Sequence, residues 1–210
     1  MQPPNRKDTS VTGHWYAGAD LVRRHADALD PAALPRIGRL VTATPWWDTA
    51  DELAVAAGRI VRRHPRSRAV MDEWLESDDL WRVRVAILHQ ERWRDDTDAD
   101  WLFAACRRHA ADRDFFIRKA IGWALRSYAK CRPEAVAEFL RTDGEALSGL
   151  SRREAERGVA FGRDRPPAPA ARGVAFGRDR PPAPAARGVA FGRDRPPAPA
   201  ARRRSSKLDD

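Results

Sequence analysis

The sequence predicts an all-α protein built as a solenoid of paired helices, and three observations carry that expectation. Apolar residues recur at helical spacing through most of residues 14–156, no segment reads as a strand, and a weak 34-residue period links the helical segments. Trp47, Trp81 and Phe115 are spaced by 34, as are Leu53, Ile87 and Ile121. Arg84-Val85-Ala86-Ile87 likewise aligns with Arg118-Lys119-Ala120-Ile121. Helix pairs repeating at this interval bury their apolar faces against their neighbours, and the inner helix of each pair lines a concave surface.

Residues 1–13 are polar, with Pro3, Pro4 and Gly13, and are expected to be disordered. Trp15, Ala19, Leu21, Val22, Ala26 and Leu29 place a stripe on a first helix over 14–29, which Asp30-Pro31 ends. Ile37, Leu40 and Val41 mark a second over 32–42, and a third should run over 46–62, stopping before Pro65. A short amphipathic helix over 66–76 follows. Four more are expected over 79–90, 98–111, 114–130 and 133–141, with Asp98 and Pro133 as start signals. The last helix begins at Ser151, where Ser151 and Glu154 fit a capping box, and Gly158 is expected to end it.

From 157 the sequence RGVAFGRDRPPAPAA occurs three times in succession, to residue 201. A unit this rich in proline, with only Val-Ala-Phe as an apolar cluster, is expected to form a low-complexity tail over 157–210 rather than a folded repeat. The expected folded domain is therefore 14–156.

Charge narrows the partners less than the total of +9 implies, because each copy of that repeat carries three Arg and one Asp. The copies hold +6 and the last nine residues +2, leaving +1 for residues 1–156, so any nucleic-acid contact in the helical body requires charge sorted onto one face. Cys106 and Cys131 form no C-x-x-C pair, and the five histidines show no H-E-x-x-H spacing, so neither a metal site nor a disulfide framework is expected. No apolar run approaches a membrane span, and the first residues lack the apolar centre of a signal peptide. The expectation is a cytoplasmic monomer without membrane association or cofactor.

The stretch Thr44-Pro45-Trp46-Trp47-Asp48-Thr49-Ala50-Asp51-Glu52 is the strongest candidate for chemistry. Thr49 and Glu52 fit a capping box, and Trp47 and Asp51 stand four residues apart, on one helix face. An aromatic plane beside a carboxylate suits a cation. Read without context, Trp47 and Trp123 are core tryptophans, Asp51 a first-turn carboxylate and Arg84 a surface arginine; Asp48 is the rival carboxylate.

Four segments, TPWWDTADELA, LWRVRVAIL at 80–88, DRDFFIRKAIGWALRSYAKCRPEAVAEFL at 112–140 and LSRREA at 150–155, resemble the DNA alkylation repair family, the HEAT-like-repeat DNA glycosylases of the AlkD type. The resemblance covers roughly 14–156. It implies a right-handed α-solenoid of HEAT-like repeats whose groove holds double-stranded DNA and releases cationic 3-alkyladenine and 7-alkylguanine without drawing the base into a pocket. By the same resemblance Asp51 is the catalytic aspartate, Trp47 and Trp123 flank the lesion nucleotide, and Arg84 touches the DNA backbone. Arg118 and Lys119 are expected to add phosphate contacts, with a solvated face as the alternative reading. A Schiff-base role for Lys119 has no support in the sequence. Family members carry several more helices before the segment matching His14, and a final helix that continues past LSRREA. A non-catalytic DNA-binding scaffold, or an inactive fragment, is the alternative to a glycosylase.

Overall fold

A computed structural model describes residues 9–164, all of whose regular structure is helical. The expected N-terminal segment through residue 8, and the tail from 165 with the second and third repeat copies, lie outside the described residues. The helices are α1 (Thr9–Arg24), α2 (Leu34–Ala43), α3 (Trp47–Arg63), α4 (Ala69–Leu75), α5 (Leu80–Leu88), α6 (Ala99–Arg108), α7 (Phe115–Ala129), α8 (Pro133–Asp143) and α9 (Gly149–Asp164). Short 3₁₀ turns over Ala26–Ala28, Pro31–Ala33, Pro65–Arg68 and Arg94–Asp96 join some of them.

The 34-residue period is the repeat of the architecture. α3, α5 and α7 begin at intervals of about that length, and α1, α3, α5, α7 and α9 pack in series, each on the next. α2 packs on α3, α4 on α5, and α8 on both α7 and α9, forming the second layer. Between the layers lie Leu34, Ile37, Leu53, Ile60, Met71, Ile87, Leu102, Ile121 and Leu125, all essentially without exposure. Residues recurring at the helical period supply this core.

Helix starts follow the aspartates. Asp79 accepts from the backbone N–H groups of Trp81 and Arg82, Asp98 from Trp101, and Asp114 from Phe116 and Ile117. Each oxygen satisfies first-turn donors that have no partner within the helix. Two expected capping boxes are replaced. Trp46 is the N-cap of α3, so Thr49 lies inside the helix and its hydroxyl donates back to Thr44 O and Trp46 O, both at 2.9 Å. Glu52, freed from capping, pairs with Arg23 of α1. At α9 the cap oxygen belongs to Ser148, while the Ser151 hydroxyl donates to Arg118 O of α7 at 2.8 Å.

α9 also passes through Gly158, where the sequence predicts its end, and takes in the first eight residues of the first repeat copy. Close packing explains the difference. A Cβ on Gly158 would stand 2.7 Å from Arg126 backbone atoms, and one on Gly162 would stand 2.2 Å from Ala129 O. Both glycines let α9 lie against α7, and this tertiary contact outweighs the low helix propensity of glycine. α1, conversely, begins at Thr9, ahead of the expected start, and gives way to the 3₁₀ turn before Leu29.

Candidate functional site

Trp47, Arg84, Phe115, Phe116, Lys119 and Trp123 line one pocket of about 190 Å³ on the inner helices α3, α5 and α7. Trp47, in the first turn of α3, is 39% exposed, and Trp123 is half-buried. Phe116 underlies the pocket, with its ring 4.9 Å from Trp81 and 6.3 Å from Trp46. Trp46 and Trp81 thus serve packing, as does Trp101, whose ring lies 4.7 Å from the buried His89.

Asp51, one turn beyond Trp47, adjoins the pocket through Arg84 rather than lining it. Arg84 Nε donates to Asp51 Oδ1 at 2.8 Å and Nη2 to Oδ2 at 2.9 Å, a forked bidentate pair, while Nη1 donates to Phe116 O at 2.7 Å. One arginine therefore ties three successive inner helices together. It is 1% exposed, which corrects the expectation of an arginine free to meet the DNA backbone. Its guanidinium is committed to orienting Asp51, and the geometry makes it a positioning group. Burial pushes the Asp51 carboxyl above its ordinary value; the Arg84 bond and charge oppose that push, and the negative charges of Glu91 and Asp48 add to it. Asp48 itself accepts from Thr49 N–H at 2.8 Å, as a first-turn carboxylate does.

The other two expected phosphate contacts divide. Lys119 is paired: its Nζ lies 3.0 Å from Glu154 Oε1 and 5.4 Å from the centroid of the Trp123 ring. Arg118 is half-exposed, its Nε has no acceptor, and no ion pair engages it among the described residues. Arg84 Cζ lies 5.8 Å from the same Trp123 ring, so this indole has two cations against it, each held by a carboxylate. From the sequence Phe115 is expected only as a member of the 34-residue period and Glu154 only as a capping residue, and no site role is expected of either or of Phe116. The phenylalanines belong to the FFIRKAIGW block and Glu154 to LSRREA, so their motif membership was the available signal.

Among the described residues no group of three or more His, Cys, Asp or Glu side chains is placed to hold a metal ion. None of their helices is long and apolar enough to cross a membrane. Cys106 is buried, which raises its thiol pKa, leaving it protonated and unreactive at neutral pH.

Fold and site together define an all-α helical-repeat protein that gathers a clamped carboxylate and aromatic walls from three successive inner helices. The sequence model of the DNA alkylation repair enzyme family matches residues 9–158, and the chain belongs to that family. Among solved structures it is similar to a "Predicted DNA alkylation repair enzyme from Enterococcus faecalis", with 28% identity and a TM-score of 0.62. The match covers 68% of this chain and 66% of that one, so the chain spans just under two thirds of its neighbour's length. No curated protein matches it significantly.

Proposed function

We propose that the protein hydrolyses the N-glycosidic bond of cationic alkylated purines, 3-alkyladenine and 7-alkylguanine, in duplex DNA. The observation that carries this reading is the Asp51 carboxylate, fixed through both oxygens by Arg84 beside a pocket walled by Trp47 and Trp123. A purine alkylated at N3 or N7 already bears positive charge, so it departs as a neutral base without a protonating acid. What remains is to stabilise oxocarbenium character at C1′ and to orient water, and one preorganised carboxylate does both. Glycosidases acting on uncharged sugars need a second carboxyl group as acid. Here no such partner is required.

The aromatic walls suit the same substrate. Indole faces attract a cation and pack on a sugar ring, and Trp47 and Trp123 border a pocket with no polar lining beyond Arg84 and Lys119. Burial around Asp51 strengthens its field at C1′ by lowering the local dielectric. Arg118, half-exposed and without an ion pair among the described residues, is the cation next to Lys119 on α7 left to meet a phosphate. The reading is tested by incubating the protein with duplex DNA carrying 7-methylguanine and measuring free base. Binding to duplex without release would favour a non-catalytic DNA-binding role.

A further inference from the structure

Asp95 and Asp96, in the turn that follows α5, are each taken by an arginine from another element: Asp95 by Arg132 at 2.8 Å and Asp96 by Arg62. Arg94, their chain neighbour, pairs with neither. It is the one non-glycine among the described residues with a left-handed backbone, at φ 57°, a conformation strained for a side chain that makes no local bond to favour it. Arg94 is exposed and has no ion pair among the described residues. The turn leaves it lining a second pocket, of about 540 Å³, with Glu91, Arg92, Ser127, Lys130 and Cys131. Lys130, the C-cap of α7, is likewise exposed and without an ion pair among the described residues. The carboxylate of this pocket is already engaged: Glu91 Oε1 accepts from Ser127 Oγ at 3.0 Å, and Oε2 lies 3.5 Å from Arg92 Nε. Three cations thus face one occupied carboxylate, and the pocket suits an anion. A lysine at a helix C-terminus also answers the helix dipole, but the dipole gives no account of Arg94.

Its place in the fold identifies the anion. Phe116, Lys119, Trp123, Ser127 and Lys130 recur every three or four residues on α7 and share one face, the first three lining the aromatic pocket and the last two this one. From Trp123 to Lys130 the distance along the helix axis is about 10 Å. Glu91 also stands near enough to Asp51 for its charge to act there. Both pockets therefore open onto one inner surface, and a duplex lying there carries a phosphate about every 3.4 Å along each strand. We propose that Arg94 and Lys130 form a seat for the phosphodiester backbone of duplex DNA, a further anchor beside Arg118 that holds the duplex in register with Asp51. Arg84 cannot supply this anchor, because its guanidinium is committed to Asp51. The proposal rests on the reading of duplex DNA as the substrate.

The test is the salt dependence of binding to unmodified duplex DNA, measured on the full chain by fluorescence anisotropy between about 50 and 200 mM KCl. The logarithm of the association constant should fall linearly with the logarithm of salt concentration, and Arg94→Gln and Lys130→Gln should each flatten that slope by about 1. Arg36→Gln is the control: it removes an exposed arginine, without an ion pair among the described residues, from α2 in the second layer, and should leave the slope unchanged. The charge of residues 165–210 is common to every variant and drops out of the comparison. Arg94→Gly separates binding from folding, since φ 57° suits glycine: its unfolding midpoint should equal or exceed that of the wild type while the slope flattens as in Arg94→Gln. A midpoint that falls together with the slope would show a structural role for Arg94 and overturn the inference. Slopes unchanged in both Gln variants, or flattened equally by Arg36→Gln, would overturn it while leaving the functional reading standing. A wild type that neither binds duplex nor releases base would defeat the functional reading, and this inference with it.

Discussion

Arg84 and Asp51, 33 residues apart on α5 and α3, meet through two nearly equal bonds of 2.8 and 2.9 Å. The pair converts a second-turn carboxylate of α3 into a fixed one, with the arginine buried and itself lining the aromatic pocket that the aspartate adjoins. Arg84→Met would leave a largely buried charge without its counter-ion and the Phe116 carbonyl without its donor. The expected loss is about 3–5 kcal/mol of stability, read by chemical denaturation, with base release lost alongside. A change within about 0.5 kcal/mol would mean that the clamp is not structural.

The acid limb of kcat/KM against pH should report Asp51. Because burial raises its carboxyl above the ordinary 3.8, the ionised form needed for catalysis is lost at a higher pH than for a solvated aspartate. Activity should therefore rise with pH through a midpoint above 3.8, as measured by initial rates of base release. A midpoint at or below that value would place the reactive carboxylate elsewhere.

His89 makes stability pH-dependent in a separate window. Its ring is buried against Trp93 and Trp101, its Nδ1 lies 2.6 Å from Ala86 O, and burial lowers its pKa from 6.5 to about 4. Below pH 6.5 the unfolded chain takes up a proton that the folded chain refuses, so stability falls as pH drops from 6.5 towards 4. The full effect is about 3 kcal/mol, and His89→Gln should flatten that part of the stability profile. Thermal unfolding at stepped pH measures it.

Gly162→Val tests whether the first repeat copy belongs to the fold. Its Cβ would enter the space of Ala129 O, at 2.2 Å, so α9 must move off α7 at a cost of about 1–3 kcal/mol. An unchanged unfolding midpoint would detach the end of α9 from the domain.

Much of the architecture was legible because it is periodic. The 34-residue spacing of Trp47, Trp81 and Phe115 marks the starts of three inner helices, and Asp79, Asp98 and Asp114 stand where caps are needed. The four-residue step from Trp47 to Asp51 puts them on adjacent turns of α3. What the sequence leaves open is partnership across repeats. Nothing local to Arg84 tells whether it meets a phosphate or a carboxylate on another helix, and nothing near Lys119 announces Glu154. Gly158 misleads for a related reason: its helix propensity is poor, and only the nearness of α7 makes its missing Cβ an advantage.

In the proposed mechanism Asp51 supplies the charge opposing oxocarbenium character at C1′ as the neutral base departs, and base release by Asp51→Asn against wild type is the decisive comparison. Single-turnover release of 7-methylguanine from duplex DNA should be readily measured for the wild type and reduced by on the order of 10²–10³ in the variant, with duplex binding retained. Undiminished release by Asp51→Asn would contradict the account.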